Sequence, residues 1–149
     1  GDTAERLLEA GAAFIDVAGA GGTSWSQVEK HRATDPVSRA AAEAFADWGI
    51  PTADCVAQIH ARHPNAVIIA SGGLATGVDA AKAIALGARL AGFGRSLLRP
   101  AVSSPEELNL LAERLERELR IAMFGIGAAA LGELRGTPRL IRDASTSRS

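Results

Sequence analysis

The chain has 149 residues, 16 basic and 17 acidic side chains for a formal net charge of -1, 47% hydrophobic residues, and only 4% aromatic ones with no Tyr. That length suits one domain with enough apolar material for a packed core. The balanced charge and scarce aromatics argue against a nucleic-acid partner, and the lack of a long apolar run argues against a membrane partner. The single Cys55 permits no internal disulfide and fits a reducing compartment, so a cytoplasmic location is expected. Together with His31, His60 and His63 it shows no metal-ligand spacing, and no metal site is expected within the chain. The opening Gly-Asp-Thr-Ala-Glu-Arg has no signal-peptide character and no initiator Met. It reads as a cut through a longer chain, the alternative being a trimmed N-terminus.

Asp2 or Thr3 can cap a first helix over residues 3–10, with Ala4, Leu7 and Leu8 facing inward and Gly11 ending it. Ala13 to Val17 reads as a strand. It runs into Ala18-Gly19-Ala20-Gly21-Gly22-Thr23-Ser24-Trp25, where dense glycine allows close approach to a ligand and Thr23 and Ser24 return hydroxyls. A binding loop is therefore preferred to a merely flexible one. Residues 25–34 are polar and partly helical, with His31 a solvated surface residue. Asp35-Pro36 supplies an N-cap and a first-turn proline for a helix to about Trp48, with Ala40, Ala41, Ala44 and Phe45 inward and Gly49 as its stop. Ile50-Pro51 is extended. Thr52 can cap a helix from Ala53 to Arg62 that buries Val56, Ile59 and Cys55, and the helix macrodipole favours cationic His60 and His63 at its end.

The organising stretch is residues 66–98. Ala66 to Ala70 is a short β-branched run, a buried strand, and Ser71-Gly72-Gly73 turns out of it. A helix follows with Val78, Ala81, Ile84 and Ala85 on one face. Leu90 to Phe93 makes the next strand, ended by Gly94-Arg95. Strand, helix and strand form a right-handed βαβ unit. Residues 96–99 read as a short connection. Ser104 and Pro105 then start a helix with Glu106 and Glu107 in its first turn and Leu108, Leu111, Leu115, Leu119 and Ala122 as its stripe. Gly125 and Gly127 interrupt it, and Ala128 to Leu134 forms another short helix. The domain is placed at 1–142, with 143–149 a disordered tail.

Three strands, each ending in a glycine-bearing loop, make either a small open sheet or part of a (β/α)8 barrel. In such barrels ligands bind at the carboxyl ends of the strands, with a phosphate commonly held in the loops after strands seven and eight. Gly72-Gly73 and Gly94-Arg95 match that placement, and Arg95 can add a charge-assisted contact to a phosphate. No Walker A loop and no Gly-x-Gly-x-x-Gly fingerprint occurs. Asp16, at the ligand-facing rim, can serve as a general base or as an acceptor for loop N–H groups. The second role is preferred, because no partner acid or histidine can be placed beside it.

Several segments resemble the type 2 isopentenyl-diphosphate isomerase family in order and spacing. These are Ile15 to Trp25, the Asp47-Trp48-Gly49-Ile50-Pro51-Thr52 stretch, Ala70-Ser71-Gly72-Gly73-Leu74, and Ala122-Met123-Phe124. The resemblance extends to about Arg142. It implies an α/β fold, the C-terminal part (about strands six to eight) of a TIM barrel, with parallel strands and surrounding helices. It also implies FMN-dependent interconversion of isopentenyl and dimethylallyl diphosphate, with NADPH to reduce the flavin, Mg2+ for the substrate diphosphate, and a homo-oligomeric full-length form. By position Ala18, Thr23, Gly72, Gly73, Gly94 and Arg95 would contact FMN. Ala18 stands where many members have Ser, so one hydroxyl contact is absent, and Phe124 to Ala130 departs from the family's more polar pattern.

The family's substrate-binding Gln, Mg2+-binding Glu and flavin-contacting Lys belong to the amino-terminal half of the barrel and have no counterpart here. No catalytic residue and no metal ligand is assigned, and the chain alone is expected to be inactive. Two alternatives stand beside this reading. One is another FMN-dependent barrel oxidoreductase of the 2-hydroxy-acid oxidase or IMP dehydrogenase kind, against which the Asp-Trp-Gly-Ile-Pro segment speaks. The other is a non-catalytic half-barrel that binds phosphate.

Overall fold

A computed structural model describes residues 2–141; the tail expected at 143–149 lies outside them. The helices are α1 (Asp2–Glu9), α2 (Trp25–Arg32), α3 (Pro36–Glu43), α4 (Thr52–Arg62), α5 (Gly77–Ala85), α6 (Arg95–Ser103), α7 (Pro105–Gly125) and α8 (Leu131–Leu134). The strands are β1 (Ile15–Val17), β2 (Ile68–Ala70) and β3 (Leu90–Ala91), and a 3-10 turn spans Gly19–Gly21. All strand pairs are parallel in the order β1-β2-β3, with Asp16 opposite Ile69 and Ile69 opposite Leu90. Consecutive strands as parallel neighbours, with helices between them, make a sector of a βα barrel. No described helix is long and apolar enough to cross a membrane.

The pleat of the sheet explains the core. Side chains alternate between faces, so Ile15, Val17, Ile68 and Ala70 point one way and are buried with Val56 and Ile59 of α4, Ala83 of α5 and Ala88. Removing each larger aliphatic side chain from water contributes about 1.5–3 kcal/mol. A second cluster joins Ala81, Ile84 and Ala85 of α5 to Leu119, Ala122 and Met123 of α7 and to Leu134 of α8. Val56, Ile59, Ala81, Ile84, Ala85, Leu111 and Leu115 are thus inward as the sequence pattern requires.

Leu7 and Val78 are 47% and 42% exposed, because Ala4 with Leu8, and the small alanines of α5, suffice for close approach. The third helix stops at Glu43, and Ala40, Ala41, Ala44 and Phe45 are exposed. It packs against α2 alongside the core, held by a Lys30–Glu43 ion pair, Ser26 Oγ donating to the Phe45 carbonyl (3.0 Å) and Gln27 Nε2 donating to the Ala42 carbonyl (3.3 Å). The segment after β3 is helix α6, which runs through Pro100 and packs along α7. The expected caps hold at Asp35, which accepts from Ser38 N–H (2.8 Å), and at Ser104, which accepts from Glu107 N–H (3.1 Å).

At the amino-terminal end of the sheet Arg135 donates to the carbonyls of Gly87 (2.9 Å), Pro64 (2.9 Å) and Ala66 (3.3 Å), fastening α8 beneath the entries to β2 and β3. His60 lies against this knot, its Nδ1 buried without a hydrogen-bond partner. Burial first, and then the Arg135 charge, hold its pKa below the usual histidine value. The cationic role expected for it at the helix end is therefore replaced by a packed neutral ring.

Candidate functional site at the carboxyl ends of the strands

Each strand ends in a loop that returns over the same rim. β1 leads through Ala18 into the 3-10 turn and on to Gly22 and Thr23. β2 leads into Ser71-Gly72-Gly73, and β3 into Gly92-Phe93-Gly94 and the first turn of α6 at Arg95. Parallel strands in register must deliver their loops to one side. The result is an open cavity of about 620 Å3 whose wall contains Ala18, Thr23, Gly72, Gly73, Gly94 and Arg95. All six residues singled out in the sequence meet there.

Two glycines make the rim possible. Gly72 (φ 74°) and Gly73 (φ 88°) adopt left-handed backbone, and a Cβ on them would lie 2.2 Å from the carbonyl oxygens of Ala18 and Gly21 respectively. The loops after β1 and β2 thus pack backbone on backbone, which any side chain would prevent. At Gly94 a Cβ would meet nothing within 4 Å, so that side of the cavity is open space.

Among the described residues, the N–H groups of Gly72, Gly73, Gly94, Arg95 and Ser96 have no hydrogen-bond acceptor. Among the described residues the Arg95 side chain, exposed at the helix start, has no ion-pair partner. Unsatisfied N–H donors, a helix amino terminus and a guanidinium on one wall suit a dianionic phosphate. The residues present therefore fit the phosphate end of a phosphorylated cofactor.

The titratable side chains on the cavity wall are Asp16 and Arg95. Asp16 accepts a hydrogen bond from Ser71 Oγ (2.7 Å), so its carboxylate bridges the ends of β1 and β2. This replaces the loop N–H contact expected for it. Beyond the glycines, Thr76 and Asp79 form a capping box: Thr76 Oγ1 accepts from Asp79 N–H (3.1 Å) and Asp79 accepts from Thr76 N–H (3.0 Å) and Ala75 N–H (3.1 Å). Burial pushes the Asp79 carboxyl up, but these donors and nearby Lys82 outweigh it and hold the pKa below the usual carboxylate value. The loop is fixed at both of its ends.

The capping role expected of Thr52 does not hold. Thr52 is the first residue of α4, and Pro51 stands at the cap. Its hydroxyl points away from its own helix, toward the carbonyls of Ala18 and Gly72. The signal was available: an Ile-Pro step before Thr52 puts proline, which has no capping side chain, in the cap position. Cys55 is half-buried and its thiol is pushed up by burial, in keeping with a small core residue. Among the described residues no group of His, Cys, Asp or Glu is arranged to hold a metal ion.

Residues 1–142 match the FMN-dependent dehydrogenase family. The chain is 56% identical over 140 residues to the isopentenyl-diphosphate delta-isomerase of Oceanobacillus iheyensis, covering 94% of the chain and 40% of that protein. It is 51% identical to the enzyme of the same name from Vibrio parahaemolyticus (94% and 41% covered) and 47% identical to that of a Nostoc species (95% and 41%). The chain thus spans about 40% of the length of the curated relatives it matches. Among solved structures it superposes on a mandelate oxidase mutant with (S)-mandelic acid at a TM-score of 0.70 and 26% identity, covering 90% of the chain and 34% of that one. A Pediococcus acidilactici lactate oxidase gives 0.68 and 25%, covering 91% and 33%.

Proposed function

The chain belongs to the FMN-dependent dehydrogenase family, and we propose that it forms the cofactor-phosphate sector of a type 2 isopentenyl-diphosphate isomerase. The observation that carries this reading is the meeting of three strand-end loops in one cavity, with donors of Gly72, Gly73, Gly94 and Arg95 unclaimed by the rest of the described chain. Identity of 47–56% to proteins named isopentenyl-diphosphate delta-isomerase, against 25–26% to the oxidases, favours isomerase over oxidase.

In this reading Gly72, Gly73, Gly94 and Arg95 hold the FMN phosphate, and Ala18 and Thr23 line the cofactor from the β1 loop. Bound flavin, reduced by NADPH, would supply proton-transfer chemistry at the substrate double bond. The chain's own residues bind and orient: loop donors fix the phosphate, and the Asp16–Ser71 bridge keeps two strand ends at a set separation. Isopentenyl and dimethylallyl diphosphate, with Mg2+, would be handled by residues outside this chain. A cytoplasmic, homo-oligomeric full-length enzyme completes the proposal.

Flavin titration tests it. The 149-residue chain is expected to bind FMN more tightly than riboflavin, read by quenching of flavin fluorescence, because only FMN carries the phosphate. Equal affinity for both would remove the phosphate assignment. With FMN, NADPH and Mg2+ the chain alone is expected to leave isopentenyl diphosphate unconverted, and turnover would show that the catalytic groups are within these residues.

A further inference from the structure

Behind two of the cavity's loops three separate pieces of chain meet: the loop after β1, the loop after β2, and the Ile50-Pro51-Thr52 approach to α4. Thr52 Oγ1 is the atom common to all three. It lies within hydrogen-bond distance of the Ala18 carbonyl and 3.2 Å from the Gly72 carbonyl, so its proton can go to either strand-end loop. The Ala20 N–H donates to the Ile50 carbonyl (2.8 Å), fastening the β1 loop to the same approach. A Cβ at Gly21 would lie 2.4 Å from both Thr52 Oγ1 and the Gly72 carbonyl, so the three backbones close on the hydroxyl without intervening side chains.

A threonine at the first position of a helix usually gains little from its hydroxyl, since the N2 and N3 amides are served by the residue before it. Here that residue is Pro51. The hydroxyl instead supplies a proton to carbonyls that have no role in a ladder beyond the strand ends. The single Thr52 hydroxyl proton, shared between the Ala18 and Gly72 carbonyls, restrains the planes of those peptides, and with them the following amides. The Gly73 N–H belongs to the same peptide unit as the Gly72 carbonyl. Holding that carbonyl therefore orients one of the unclaimed donors of the cavity.

We propose that Thr52 is a positioning residue which, through its side-chain hydroxyl, locks the β1 and β2 loops together and aims the Gly73 amide of the phosphate cradle. The purpose assigned to the cradle rests on the FMN reading above; the tie itself does not.

Thr52→Val keeps the side-chain shape and deletes the donor, and Thr52→Ser restores it. In the free 149-residue chain, amide hydrogen exchange followed by NMR is expected to quicken about tenfold in the valine variant at the Ala20 and Ser71 amides, which donate to the Ile50 and Val17 carbonyls. Exchange in α7 should stay unchanged, and the serine variant should match the parent. Unaltered loop exchange overturns the proposal, as does acceleration that extends through α7, which would mark general destabilisation. In flavin titrations the valine variant is expected to lose about tenfold in FMN affinity, about the strength of one hydrogen bond, and much less in riboflavin affinity, with serine rescuing both. Equal losses for the two flavins overturn the aiming of the cradle. A parent chain that binds neither flavin would instead sink the FMN reading, and loop exchange then decides the tie by itself.

Discussion

The two faces of the three-stranded sheet come from the same short strands and have opposite chemistry. On one, Ile15, Val17, Ile68 and Ala70 are at most 7% exposed beneath α4, α5 and their neighbours. On the other, Asp16, Ile69 and Leu90 lie side by side across the register, with Leu90 57% exposed and Phe14, just ahead of β1, 55% exposed. The covered face holds this chain together. The open face is an apolar layer with one carboxylate, beneath the rim where the glycine loops meet. In a closed barrel such a layer is interior, so the difference separates what stabilises the chain from what it presents to the rest of a barrel.

The largest effect is expected on the covered face. Ile68→Ala, at a residue with no exposed surface, should cost about 2–5 kcal/mol in urea unfolding with an unchanged m-value. A loss under about 1 kcal/mol would mean the face is not the core. Ser104→Ala removes the cap of α7, which supports α5 from behind, and should cost about 1 kcal/mol in the same measurement.

His60 gives a smaller, pH-dependent test of the covered side. Its pKa is lowered in the folded chain, so the unfolded chain takes up its proton first as pH falls. Stability should be flat above the ordinary histidine value of 6.5 and decline as pH drops from there toward the lowered folded value. His60→Gln should remove that part of the slope. A histidine contribution of opposite sign would show that the ring is charged at the helix end after all. On the open face, Leu90→Ser should change stability by no more than about 0.5 kcal/mol. A cost of about 2 kcal/mol there would reveal that the face is covered in solution.

Much of this was legible before the fold. Asp35-Pro36 and Ser104-Pro105 announce helix starts because capping chemistry is local. The alternation in Ile15-Asp16-Val17 and the density of glycine after it mark a strand and a loop with close backbone neighbours. The six candidate ligand residues were found by resemblance and placement, and they do line one cavity. The inward face assigned to Ala40, Ala41, Ala44 and Phe45 failed because an amphipathic pattern specifies a face without saying whether a core lies opposite. α3 packs on α2 to one side of the core. α6 was missed because Pro100 weighs against helix locally, whereas packing along α7 favours it.

Local pattern suffices for the local events: where helices are capped, which strands are short and apolar, and that the strand-end loops are stripped of side chains. Each depends on residues within a few positions of one another. Which donors are left over and which are consumed depends on long-range packing. Thr52 looks like a cap in sequence, yet its hydroxyl lies against Ala18, 34 residues away, and Gly72, 20 away. Asp16 meets Ser71 across 55 residues. Such partners are chosen by strand register and by the packing of helices on one face of the sheet, and no local pattern encodes them.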